Sequence, residues 1–276
     1  MKRIASLLML AARSTLWKAA GITLASCLTE AGLFLAALSG WQDTVRTAYY
    51  EYSNPMGLEG LLMQYPLSWC FRIGLVLVCA VLAFLGWEGS SRVSYTLRRL
   101  SVGHRALTLL WAGYGFFCLL FFWAAHLGTL LALCAAALHR LAPEFSGPQA
   151  LFLACYRDPY LHSLLPLDDC LLWVRNLSMC AALGTAAASF SFQRRMGRRA
   201  FAILPLAALS ALCFPLPMGS FEFGGPAEFL RPYLYDGIFY SADGLPSVLG
   251  PVLLFVSLCA LAASLCQILR RDPYEE

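Results

Sequence analysis

Apolar residues in this chain come in long unbroken runs, and polar residues are confined to the gaps between them. Six runs approach or exceed the roughly 20 helical residues needed to cross a hydrocarbon core about 30 Å thick. They cover residues 19–41, 67–87, 106–138, 171–192, 200–216 and 245–269. The second accommodates Arg72 if that side chain snorkels to its interface. The third is too long for one perpendicular crossing, so it must tilt, bend at Gly113, Gly115 or Gly128, or project beyond the lipid. Pro205, Pro246 and Pro251 lie early in the fifth and sixth runs, where a missing N–H costs little. The pattern predicts an all-α polytopic membrane protein with six transmembrane helices, forming a single transmembrane domain over 1–276.

Ahead of the first run, Ile4, Leu7, Leu8 and Ala11 recur at helical spacing between Met1-Lys-Arg and Arg13. The segment imitates a signal peptide, but its apolar stretch is short and interrupted. It reads as an N-terminal interfacial helix over 1–18, with a frayed cytosolic start as the alternative. Three longer polar segments, 42–66, 139–170 and 218–244, are rich in Tyr, Phe and carboxylates. That density suits an interfacial belt, either as short helices dipping into the leaflet or as irregular loops.

The charges orient the chain. Lys2, Arg3, Arg13, Lys18, Arg92, Arg98, Arg99, Arg105, Arg194, Arg195, Arg198, Arg199, Arg270 and Arg271 fall on one side of the expected membrane. Only Arg46, Arg72, Arg140, Arg157, Arg175 and Arg231 fall on the other. The positive-inside rule then puts both termini and the two basic loops in the cytoplasm, and the chain in the plasma membrane. Composition agrees: 59% of residues are hydrophobic and 13% charged, about half the charged fraction of a soluble domain. A net charge of +4 without a basic tail gives no footprint for nucleic acid.

Most of the eleven cysteines lie inside apolar runs, where they act as small buryable side chains. Cys155 and Cys170 flank a polar loop and could pair if that loop is outside. There is no Cys-x-x-Cys pair or Cys/His cluster in the sequence, so neither a zinc site nor any other metal or cofactor is expected. Enzyme signatures are missing too: no Walker phosphate loop, no His-Glu-x-x-His, no Gly-x-Ser-x-Gly elbow. No catalytic residue is assigned. Asn176-Leu-Ser178 matches a glycosylation acceptor but sits on an apolar run, so it reads as coincidence.

Two polar residues stand inside spans. Glu30 lies near the middle of the first, where a carboxylate costs about 2.5–3.5 kcal/mol on insertion scales. It reads either as a path or gating residue or as a hydrogen-bonded helix–helix contact. His126, in the third, reads as the same choice with packing favoured.

The remaining signal is the basic segment 88–105. Val93, Leu97 and Leu100 share one helical face, with Arg92, Arg98, Arg99 and Arg105 supplying charge. A short amphipathic helix on a membrane or in a partner's groove has this pattern, and so has an ordinary positive-inside loop. The segment resembles the loop between the second and third spans of ABC-2-type transporter permeases: Glu88, Leu97, Leu100, Val102 and Arg105 match. Ser101 stands where proline is usual, and Gly103 where serine is common. Glu30 followed by Ala-Gly-Leu-Phe is similar to an acidic residue in the first span of some relatives. The resemblance implies a permease subunit without its own ATPase, working as a homo- or heterodimer with a second permease chain. Glu88, Arg92, Leu97, Arg98, Arg99, Leu100 and Arg105 would then form the coupling segment that docks a separate ATP-binding-cassette subunit. A non-transporting structural or signalling membrane protein and a secondary transporter are the competing readings.

Overall fold

The computed structural model describes residues 2–48, 58, 61–62, 66–84, 104–140, 149–167, 169–195, 203–214 and 245–269. Among these every regular element is helical. In chain order they are α1 (Lys2–Ala48), α2 (Ser68–Ala83), α3 (His104–Leu138), α4 (Ala150–Arg157), α5 (Pro159–Leu164), α6 (Cys170–Arg195), α7 (Ile203–Cys213) and α8 (Leu245–Leu269).

Four of these helices are long and apolar enough to cross a membrane, over Ala11–Gly40, Arg105–Leu138, Cys170–Arg194 and Gly250–Leu269. The second and fifth expected spans are shorter helices, of 16 and 11 residues. At 1.5 Å per residue they measure about 24 and 17 Å, less than a hydrocarbon core. The boundary expected between an interfacial helix over 1–18 and a span from 19 is absent, because α1 is one continuous helix of 47 residues. It joins the bundle early: Ala11 and Thr15 are buried, and the Thr15 hydroxyl lies 3.1 Å from the hydroxyl of Tyr114 on α3.

The core is built around α6. Two thirds of its apolar window (67%) is buried, against 22–28% for the other three long helices. It can be surrounded because it is lined with small residues: Ala182, Ala186, Ala187 and Ala188 are all buried. It packs against α3 on one side and α8 on the other, with α2 and α7 also in contact. Where α3 and α6 cross, Gly115 faces Gly184 backbone to backbone. A Cβ built on Gly184 would stand 2.6 Å from the Phe116 nitrogen and 3.0 Å from the Ala112 carbonyl oxygen. Close approach through small residues is how helices gain packing when lipid supplies no hydrophobic drive.

Paired contacts give the helix directions. Thr15 meets Tyr114 and Ser26 meets His126, so α1 and α3 run the same way. Gly115 meets Gly184 while Trp123 meets Trp173, so α6 runs opposite to α3. Among the described residues, large apolar side chains such as Trp17, Leu24, Leu28, Phe117, Phe121 and Phe255 are exposed. An apolar exterior around a partly polar interior is the arrangement lipid selects.

The segment 139–170, expected as helices or irregular loop, contains α4 and α5. Asp158 caps α5 by accepting from the Leu161 N–H at 2.7 Å, with Pro159 opening the helix. Tyr160, Leu161 and Leu164 are buried, so α5 folds back onto the bundle rather than lying free above it. Cys155 is buried and Cys170 exposed, and both are free thiols.

Candidate functional site

The inward face of α1 carries Thr15, Thr23 and Glu30 among small and apolar residues. Ala11, Thr15, Ala19, Thr23, Cys27, Glu30, Phe34 and Ala37 recur every three or four residues and are all buried. Leu16, Trp17, Leu24, Leu28 and Leu35, between them, are exposed. Thr15 and Thr23 satisfy their hydroxyls locally, on the carbonyls of Ala11 and Ala19. Glu30 has no such local option and must find partners on other helices.

It finds two. Oε2 lies 2.7 Å from Nδ1 of His126 on α3, and Oε1 accepts from the Tyr160 hydroxyl on α5 at 2.8 Å. Glu30 and His126 are both fully buried. The other imidazole nitrogen, Nε2, lies 3.0 Å from Ser26 Oγ, whose own proton goes to the Thr23 carbonyl at 2.9 Å. A proton lies between Nδ1 and Oε2, because two bare acceptors at 2.7 Å would repel.

Aromatic rings wall this cluster. Phe71 of α2 meets the His126 ring edge-on at 5.3 Å, and Phe122 approaches it at 4.6 Å. Gly74 makes room for Phe122: a Cβ there would be 2.9 Å from the Phe122 ring. Phe71 also stacks on Phe214 at 4.3 Å, and beyond Phe214 lies a second buried polar group. The Arg175 guanidinium sits 5.7 Å from the Phe214 ring centre and donates to the Phe214 carbonyl at 2.8 Å and to Asn176 Oδ1 at 3.2 Å. Asn176 in turn donates to the Ser163 carbonyl at 2.8 Å. Its burial agrees with the reading of Asn176-Leu-Ser178 as coincidence. Charge counting puts Arg175 on the side of the membrane opposite the cytoplasmic loops, and in the fold its side chain is fully buried within α6.

The short α5 connects the two groups. Tyr160 reaches Glu30, the Ser163 carbonyl receives Asn176, and the Leu164 carbonyl receives the Trp123 indole N–H at 3.1 Å. Just past the helix, the Pro166 carbonyl receives the Trp173 indole N–H. Arg72 lies over the Trp69 ring at 5.0 Å, near the start of α2.

Of the residues singled out in the sequence, Glu30 and His126 are brought together as one interhelical pair. Glu88, Arg92, Leu97, Arg98, Arg99 and Leu100 lie outside the described residues, and Arg105 opens α3 with a half-buried side chain. Tyr160, Ser26 and Cys27 were not singled out. Cys27 stands one turn before Glu30 on α1, and its sulfur, a Glu30 oxygen and a His126 nitrogen all lie within 4.8 Å of one another. The spacing of Ser26, Cys27 and Glu30 on one helix was visible in the sequence. Their convergence with a histidine 96 residues beyond Glu30 was not.

An apolar exterior, four membrane-length helices and a polar cluster sealed between them define a helical membrane protein. The chain matches no family model, no curated protein and no solved structure.

Proposed function

We propose that this protein is the membrane-spanning permease subunit of an ABC-2-type transporter, an exporter with six membrane-crossing helices and both termini in the cytoplasm. The observation that carries the reading is the basic segment 88–105 between α2 and α3, with Glu88, Leu97, Leu100, Val102 and Arg105 at the positions the resemblance requires. The parallel course of α1 and α3 and the opposite course of α6 support alternating crossings. In that arrangement the two short helices α2 and α7 complete six, their ends lying in a thinned or protein-lined part of the bilayer. The ATPase is a separate chain that docks on 88–105, and a second permease chain completes the transporter.

Co-purification with an ATPase encoded beside this chain tests the reading directly. Reversing the charge at Arg98 and Arg99 is expected to abolish association and transport-coupled ATP turnover. Unchanged association and turnover would remove the coupling role and with it the reading.

A second reading, a proton-linked secondary transporter, is favoured by one observation: Glu30, His126 and Tyr160 join three helices through ionisable groups around a shared proton. Uptake driven by a proton gradient without any ATPase, abolished in Glu30→Gln, would select it over the first.

A further inference from the structure

The geometry points to a binding site for a zinc-like divalent cation formed by Cys27, Glu30 and His126. Thiolate, carboxylate and imidazole are the donor set of zinc and cobalt, whereas magnesium and calcium take oxygen alone. The three donor atoms already lie within 4.8 Å of one another. Around a tetrahedral zinc, ligands bonded at about 2.0–2.3 Å stand roughly 3.4–3.6 Å apart. Closing this set onto a metal therefore takes side-chain shifts of about an ångström, including a small opening of the 2.7 Å Glu30–His126 contact.

The partners of these three residues match what a metal's ligands need. A ligating histidine characteristically donates its other ring N–H to an outer group, which fixes the ring and its tautomer. Here Nε2 lies 3.0 Å from Ser26 Oγ, while Nδ1 lies 2.7 Å from Glu30 Oε2. A ligating carboxylate is likewise held through its free oxygen, and Oε1 accepts from Tyr160. The Cys27 thiol lies beside Thr129. Glu30 and His126 thus each have a second side-chain partner, Tyr160 and Ser26, beyond the contact between them.

Charge also balances. A dication held by the Cys27 thiolate, the Glu30 carboxylate and a neutral His126 imidazole meets two negative charges, so the metal-bound site carries no net charge. That condition matters among Phe71 and Phe122, where an uncompensated charge would be costly. Three protein ligands leave a fourth position for water or an exchanging ligand. The site does not depend on the ABC-transporter reading, and its test uses no ATPase.

The test is a cobalt titration of the full chain, purified in detergent and stripped with chelator. One equivalent of Co2+ per chain should produce a thiolate-to-cobalt charge-transfer absorption that Zn2+ removes and Mg2+ does not. Cys27→Ser should abolish the band, Cys170→Ser should leave it intact, and Glu30→Gln should weaken binding at least tenfold. Absence of the band at equimolar cobalt, or its survival in Cys27→Ser, overturns the site. A measurement on the unmutated protein guards against variants that fail to fold. The zinc X-ray absorption fine structure should show one sulfur at about 2.3 Å beside nitrogen and oxygen at about 2.0–2.2 Å. A shell of nitrogen and oxygen alone would refute it.

Discussion

Replacing Tyr160 by Phe removes a single oxygen and keeps the ring in its place beside Phe71, 6.3 Å away between centroids. What is lost is the 2.8 Å hydrogen bond to Glu30, whose carboxyl is fully buried. A hydrogen bond to an ionisable group is worth about 1.5–3 kcal/mol in a soluble protein. Between membrane helices such bonds average about 0.6 and reach about 1.7 kcal/mol, because the unfolded reference also finds partners. The two scales overlap near 1.5 kcal/mol, and burial of both groups places this bond at that upper end for membrane proteins. At roughly 2 °C per kcal/mol for a chain of this size, Tyr160→Phe should lower the thermal midpoint in detergent by about 3 °C. A double-mutant cycle separates the bond from other effects of the substitution. In a Glu30→Leu background the hydroxyl has lost its acceptor, so the same Tyr160→Phe change should cost nothing or even stabilise. An equal cost in both backgrounds would refute the bond, and with it the role of α5 as the third wall of the cluster.

At the α3–α6 crossing, Gly184→Ala should destabilise by about 1–3 kcal/mol, since the new Cβ meets backbone atoms that cannot yield. Gly128→Ala, with nothing within 4 Å of its Cβ, is the matched control and should be neutral in the same thermal assay. Arg175→Leu strips donors from the Phe214 carbonyl and Asn176 Oδ1 and should cost about 2–5 kcal/mol, read as a reduced monodisperse fraction on size exclusion, with Arg175→Lys recovering part. Cys170 should react quickly with a maleimide and Cys155 slowly, because burial pushes the Cys155 thiol up and so lowers its thiolate fraction at neutral pH. The Cys155 rate should therefore keep rising above pH 9, where an ordinary thiol has begun to level off; equal rates at pH 7 would contradict its burial.

Hydrophobic runs alone determined that this chain is helical and lipid-embedded, and they located α3, α6 and α8 to within a few residues. Run length depends only on local composition, so it could not tell that α1 continues unbroken through Arg13 and Lys18, or that among the described residues α2 and α7 are 16 and 11 residues long. The sequence also marked Glu30 and His126 as out of place. Only tertiary structure decided that they are one site, because Ser26, Cys27, His126 and Tyr160 come from three helices, with Gly74 leaving room for Phe122 and Ser26 beside them. Arg175 shows the same limit: the sequence gives the side of the membrane its charge falls on, and only the fold brings the Phe214 carbonyl to it beside the Asn176 amide of its own helix. In lipid the apolar pattern reports which residues face outward. The polar partners that satisfy one another inside are set by helix packing, which no linear period encodes.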